Sequence, residues 1–474
     1  MIRILFVLLL CSVGLTAQEG HRIAVEVEGY EEDFLTLGYY LLDNQYIVDT
    51  AYRQETGEYV FSSDTATLDP GIYLVVLSPD NDFFQLLIGA GEDQRFTLRT
   101  QVGRLNEVSI SGSRENELFY EYLTFLAGAQ TESASYRARQ ADASLSEAEQ
   151  VQMQTDLDEL DREVRQYQQS LVERYPESFV ALIIQANEAA TPPDFAEVAD
   201  EEERRERQWR WLQRHYFDGM PLGDPRLLRT PFLFTRIDYY VNKLQVRHPD
   251  TLARAIDYVL DKLDPTSETF KYYTVHFTNE AASSNIVGMD ALYVHMVDTY
   301  YRTGLAPWTE PEQLDKMIDN ADRIRPLLIG KTAPDLNMTT REGEDITLHG
   351  VDAEYTVLYF WRYDCAACKK STPVMKEFHE EWKDRGVKIF SVCTKGIDEL
   401  GECWDYVDEH GLNDWVQAAD PYQRYYRDYD IKSTPSIFLL DRDKTIVSKR
   451  ISAEQLDEVL TSLEKRDEAA AAGK

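Results

Sequence analysis

The hydrophobic periodicity of this 474-residue chain changes twice, and each change limits what the next stretch can fold into. From about residue 18 to 113 apolar residues alternate with polar ones, as Ile23, Val25 and Val27 do in "RIAVEVEGY". Further short runs at 57–61, 71–77, 83–89, 95–100 and 106–113 are broken by Asp-Pro-Gly and Pro-Asp-Asn-Asp turns, so the spacing predicts a small antiparallel β-sandwich or barrel. From 114 to 325 the repeat becomes helical. Leu118, Tyr122 and Phe125 begin an amphipathic helix, and charged helical stretches follow, interrupted by loops such as "ATPPDF". The mixed-sign run 197–207 reads as a solvated helix face. After Gly330 strands and helices alternate: strands at 356–360, 387–392, 415–418, 436–440 and 445–450, with helices after the first three and a terminal helix at 453–465. That order implies an α/β layer on a partly parallel sheet over 328–466. Residues 467–474 read as a flexible tail.

The first residues indicate where the chain goes. Arg3 precedes an apolar run from Ile4 to Leu15, shorter than the about 20 residues a membrane span needs, and Thr16-Ala17-Gln18 offers a small-residue cut. Residues 1–17 are therefore expected to be a signal peptide, with Cys11 removed alongside it. No stable membrane insertion is expected afterwards. The net charge of −35 argues against nucleic acid, because a binder must neutralise phosphates with clustered Lys and Arg. It reads instead as a solvated, self-repelling surface.

Removal of the signal leaves Cys365, Cys368, Cys393 and Cys403. Four cysteines are too few to staple a chain of this length, so ordinary cores must hold it. In "WRYDCAACKK" the first pair follows an apolar strand and opens a helix whose Val374, Phe378 and Trp382 share one face. Cys365 thus lies at a helix N-terminus, where free N–H groups and the macrodipole favour a thiolate, the species that attacks disulfides. Cys368, one turn on, is placed to resolve a mixed disulfide. A zinc site would need a second ligand pair at suitable spacing, which is missing. A purely structural clip would close a minimal loop and restrain little of the unfolded chain. Cys393 and Cys403 remain open between a structural disulfide, two separate thiols and a relay. His215, His276 and His295 are too widely spaced for a metal motif of the His pair kind and read as core or surface histidines. No metal or cofactor is expected beyond the redox-active disulfide.

The segments "GKTAPDL", "YFWRYDCAACKKSTPVMKEF" and "YDIKSTPSIFLLDRDKTI" resemble the thioredoxin fold as used by TlpA-like envelope thiol-disulfide oxidoreductases. The resemblance covers about 328–466. It implies a cis Pro435 facing the disulfide, with Thr434, Pro435 and Trp361 binding an extended substrate segment. It also implies protein thiols and disulfides of the envelope as substrates, a Gram-negative periplasm or outer envelope as location, and room for an upstream electron donor in the membrane. The stretch ending in "ISGSRENELFYEYL" and the helical block resemble uncharacterised domains that accompany such modules. Two departures bear on mechanism. Asp364 stands where the family often has Trp, and its charge opposes ionisation of Cys365, with Lys369 and Lys370 offsetting it. That favours a reductase or isomerase over a strong oxidant. Ser371 replaces a glutamate of reductive members, leaving water or Glu377 to move protons. Peroxidase chemistry is disfavoured, since Leu358 and Arg362 occupy the positions where it needs Pro and Thr or Ser. The rival reading is a redox-inert adaptor whose residues 18–325 do the binding.

Overall fold

The computed structural model describes residues 20–140, 146–188 and 190–472. The expected signal peptide, including Cys11, lies outside the described residues. Contacts divide the chain into two compact units, one ending at Leu244 and the other beginning at Gln245. The helical stretch expected as one block over 114–325 is therefore shared between them.

The first unit opens with β1 (His21–Glu28), β2 (Phe34–Leu41), β3 (Asn44–Tyr52), β4 (Tyr59–Ser63), β5 (Gly71–Leu77), β6 (Asp82–Ile88), β7 (Arg95–Gln101) and β8 (Ser109–Ser111). Among the described residues these form two four-stranded sheets, ordered β4-β1-β7-β8 and β3-β2-β5-β6. Ile23, Val25, Phe61 and Leu98 of one sheet share a core with Leu35, Leu37, Tyr73 and Val75 of the other, which makes a sandwich. It is not wholly antiparallel, because β1 runs parallel to β7. Strands β2 and β3 escaped the sequence reading. In β3, Tyr46, Ile47, Val48 and Tyr52 face solvent, so polarity does not alternate with burial there.

Helices α1 (Arg114–Gln140), α2 (Glu147–Arg174), α3 (Phe179–Asn187), α4 (Glu201–His215) and α5 (Pro231–Asp238) complete this unit. Ser146 and Glu149 form a capping box at the start of α2, and Ser178 and Asp200 cap α3 and α4. The buried Asn116 amide makes two 2.8 Å hydrogen bonds to the backbone of Leu87, docking α1 on the edge strand β6. That satisfies backbone groups a buried sheet edge would leave unpaired.

The second unit begins with α6 (Pro249–Leu260), α7 (Glu268–Ser283), α8 (Asp290–Met296) and α9 (Pro311–Ile324). The α/β layer follows: β9 (Asn337–Thr339), β10 (Asp345–Thr347), β11 (Tyr355–Trp361), α10 (Ala366–Trp382), β12 (Val387–Cys393), α11 (Leu400–His410), β13 (Val416–Ala419), α12 (Tyr425–Tyr429), β14 (Ser436–Leu440), β15 (Ile446–Lys449) and α13 (Leu456–Ala472). Helix α13 continues to Ala472, through most of the stretch expected as a tail. The sheet order is β10-β9-β13-β12-β11-β14-β15, with β11, β12 and β13 parallel. Strand alternation sorts side chains between its faces. Val357, Tyr359, Trp361, Ile389, Cys393, Ile437 and Leu439 join the core of α10, while Leu358, Phe360, Phe390, Val392 and Phe438 join the opposite one. Within this unit the buried Lys449 on β15 pairs with Asp290 of α8 and donates to the Leu327 carbonyl. Burial pushes the Lys449 ammonium down, and Asp290 opposes that shift.

Candidate active site

The parallel strands β11, β12 and β13 end at one edge of the sheet, the edge at which open α/β folds place their chemistry. At the end of β11 the chain turns through Arg362, Tyr363 and Asp364 and enters α10 with Cys365 as its N-cap. The Cys365 sulfur accepts a hydrogen bond from the Cys368 N–H at 3.2 Å, and the thiol donates to the Thr434 carbonyl at 3.2 Å. The Thr434–Pro435 peptide is cis, and it precedes β14, which pairs directly with β11. The fold thus brings Cys365, Cys368, Thr434 and Pro435 together across a separation of 69 residues.

The two sulfurs have unlike surroundings. Cys365 is 8% exposed and Cys368 1%. Burial opposes ionisation of Cys365, but hydrogen bonds from the Cys368 thiol and N–H, the Thr434 side chain and the Ala367 backbone outweigh it and lower its pKa. The Cys368 thiol is pushed up, first by burial and then by its hydrogen bond with Cys365. One sulfur is prepared to ionise and the other to keep its proton. Both are free thiols.

Three expectations for neighbouring residues change. Trp361 is not on the surface: it is 1% exposed, its indole N–H donates to Ser391 Oγ at 2.7 Å, and its ring packs 5.3 Å from that of Tyr406. The strand alternation that exposes the loop after it turns Trp361 inward, so it supports the site from below and cannot touch substrate. The cation facing Asp364 is Lys395 at 2.9 Å, with Arg362 at 3.3 Å, whereas Lys369 and Lys370 lie exposed on α10. The Lys395 hydrogen bond holds the Asp364 carboxyl below its ordinary value against the opposing effect of burial. Glu377 is exposed on α10. The polar groups near Cys368 are instead Thr372, whose hydroxyl donates to the Cys368 carbonyl at 2.9 Å, and Tyr406, which donates to Thr372 at 3.2 Å.

Cys393 and Cys403 form a disulfide between the end of β12 and α11, buried in the same core. Of the histidines, His215 contacts Asp218 at 2.6 Å, His295 contacts Asp257 at 2.8 Å and His276 lies 3.7 Å from Glu280. Lys395 and Tyr359, the latter buried beside Cys368 and Cys365 in the same core, were missed in the sequence. Tyr359 was findable, since it lies two residues before Trp361 on the same strand face. Lys395 carried no local signal.

Residues 329–449 match the AhpC/TSA family, and residues 181–326 match a domain of unknown function, DUF5106. Thiol-disulfide oxidoreductase ResA of Bacillus thuringiensis (strain Al Hakam) is 32% identical over 132 residues, which are 28% of this chain and 74% of that protein. The chain belongs to the ResA family of thiol-disulfide oxidoreductases. Another relative of this oxidoreductase is sporulation thiol-disulfide oxidoreductase A of Bacillus subtilis, 29% identical over 125 residues, 26% of this chain and 74% of that one. A solved thioredoxin-like protein from Bacteroides caccae is 19% identical and aligns over 58% of this chain and 98% of its own, with a TM-score of 0.41. Membership makes the chain an oxidoreductase with a thioredoxin-like domain acting on protein thiols and disulfides, and it does not favour the redox-inert adaptor. No helix among the described residues is long and apolar enough to cross a membrane.

Proposed function

We propose that this oxidoreductase is exported and reduces or isomerises disulfides of envelope proteins, with Cys365 as the attacking thiol and Cys368 as the resolving thiol. The unequal environment of the two sulfurs carries the reading: Cys365 has a lowered pKa at a helix N-terminus, and the more buried Cys368 has a raised one. The Cys365 thiolate attacks one sulfur of a substrate disulfide. A Cys365–substrate disulfide forms, the substrate S–S bond breaks, and the departing sulfur leaves as a thiolate that takes up a proton. Cys368 then loses its proton and attacks the Cys365 sulfur, releasing the second substrate thiol and closing the Cys365–Cys368 disulfide. Two electrons have passed to the substrate. A thiol or dithiol donor returns them, and no other cofactor is required. Thr434 and Pro435 offer backbone to an extended substrate segment beside the sulfur, in keeping with the contact between Cys365 and the Thr434 carbonyl.

Export is supported by Arg3, the apolar run from Ile4 to Leu15 and the Thr16-Ala17-Gln18 cut, and by a second disulfide of the kind that persists outside the cytoplasm. The direction of flux rests on Asp364, whose carboxylate beside Cys365 makes the disulfide less oxidising, an effect that Lys395 limits. Insulin reduction with dithiothreitol as donor is the test. Cys365→Ser is expected to abolish turnover, and Cys368→Ser to accumulate a mixed disulfide with insulin. Full activity in both variants would sink the reading.

A further inference from the structure

Asp364 immediately precedes the attacking thiol, where an uncompensated carboxylate raises a thiol pKa and slows attack. Its compensation comes from 31 residues further along the chain. Lys395 Nζ lies 2.9 Å from Asp364 Oδ2 and 2.7 Å from Glu399 Oε2, and it stands 5.0 Å from the centre of the Tyr363 ring. The Tyr363 hydroxyl donates to Glu399 at 3.1 Å, closing a ring of contacts around the ammonium. The Lys395 side chain is 13% exposed, far less than the two carboxylates it joins. Exposed ion pairs add little to stability. What this arrangement does achieve is a fixed positive charge beside Asp364.

The position of Lys395 is itself held. Cys393 pairs with Trp361 across β11 and β12, and Thr394 donates to the Trp361 carbonyl through its N–H at 2.8 Å and its hydroxyl at 3.0 Å. The Cys393–Cys403 disulfide then ties the β12 end of the segment to the first turn of α11, the helix into which its other end runs. The segment bearing Lys395 and Glu399 is thus pinned between the strand that leads to Cys365 and the helix that follows. The other charged or titratable groups around this cluster are Arg362, 3.3 Å from Asp364 Oδ1, and Glu402, which acts on Tyr363; Cys368 and Tyr359 face Cys365 from α10 and β11.

We propose that Lys395 is a positioning residue for thiol–disulfide exchange: its ammonium neutralises Asp364 and so preserves the Cys365 thiolate, and the Cys393–Cys403 disulfide holds it in place. This rests on Cys365 being the attacking thiol. The test is the pH dependence of Cys365 alkylation by iodoacetamide in the full-length chain with Cys365 and Cys368 as thiols and the Cys393–Cys403 disulfide intact, read by mass spectrometry of the Cys365 peptide, with far-UV circular dichroism to confirm folding. Lys395→Met is expected to move the midpoint up by about one pH unit, the lower end of the effect of a nearby charge on a titrating group. Lys395→Arg restores it, and Asp364→Asn/Lys395→Met returns it close to wild type, since the lysine has no carboxylate left to neutralise. Asp364→Asn alone moves it down, and Cys393→Ser/Cys403→Ser moves it up by less than Lys395→Met. An unchanged midpoint in folded Lys395→Met overturns the inference, as does a double variant shifted as far as Lys395→Met. If Lys395→Met does not fold, an unchanged midpoint in Asp364→Asn overturns it instead. A wild-type Cys365 that is no more reactive than an ordinary thiol overturns the assignment of the attacking thiol, a failure distinct from the others.

Discussion

The two cysteine pairs occupy the ends of neighbouring parallel strands, share one core and differ in almost everything that governs reactivity. Cys365 and Cys368 follow β11 at the start of α10, where one sulfur meets backbone N–H donors at the site's mouth. Cys393 ends β12 and Cys403 lies in the first turn of α11, both side chains are fully buried, and the bond joins a strand to the helix that follows it. The comparison teaches that disulfide chemistry is assigned by position: a helix N-cap supplies stabilisation to a thiolate, and a closed core supplies none. The second pair acts instead on its loop.

The largest expected effect separates the pairs by function. Cys365→Ser should reduce insulin turnover to background, while Cys393→Ser/Cys403→Ser should still turn over, more slowly near neutral pH. Equal loss in both would break the comparison. Stability should respond in the reverse order. Removing the second disulfide is expected to cost about 2–3 kcal/mol by loop-closure entropy, read from the urea midpoint, with Cys365→Ser/Cys368→Ser costing about 1 kcal/mol less because its loop is shorter. A smaller effect should follow at the strand between the pairs. Ser391→Ala strips the buried Trp361 indole N–H of its partner and should cost about 1–2 kcal/mol in urea unfolding while leaving insulin turnover per folded molecule unchanged. Smallest of all, Lys369→Ala/Lys370→Ala should leave the alkylation midpoint of Cys365 within error of wild type, since the cation in contact with Asp364 is Lys395. A shift as large as that of Lys395→Met would restore the sequence-based assignment of the compensating charge.

Much of the fold was legible wherever burial and chain period coincide. The strands at 356–360, 387–392 and 436–440 emerged because central strands of a sheet covered on both sides are apolar on both faces, and the Cys365 helix emerged from Val374, Phe378 and Trp382. Edge elements were harder to read. Strand β3 carries exposed Tyr46, Ile47 and Val48, and β9 and β10 span three residues each, too short to establish a period. Trp361 was misplaced because a local motif names a residue without saying which face of the strand it takes.

The sequence by itself determined the cysteine pair proposed for the redox step, the strand-to-helix junction that carries it and the succession of β, α and α/β regions, because each depends on residues within a turn or two of one another. Only the tertiary structure decided the rest. It joined Cys393 to Cys403, turned Trp361 inward, and set Lys395 against Asp364. Electrostatic and covalent partners are chosen by distance in space, and the sheet that makes neighbours of β11 and β12 also makes neighbours of residues 31 positions apart.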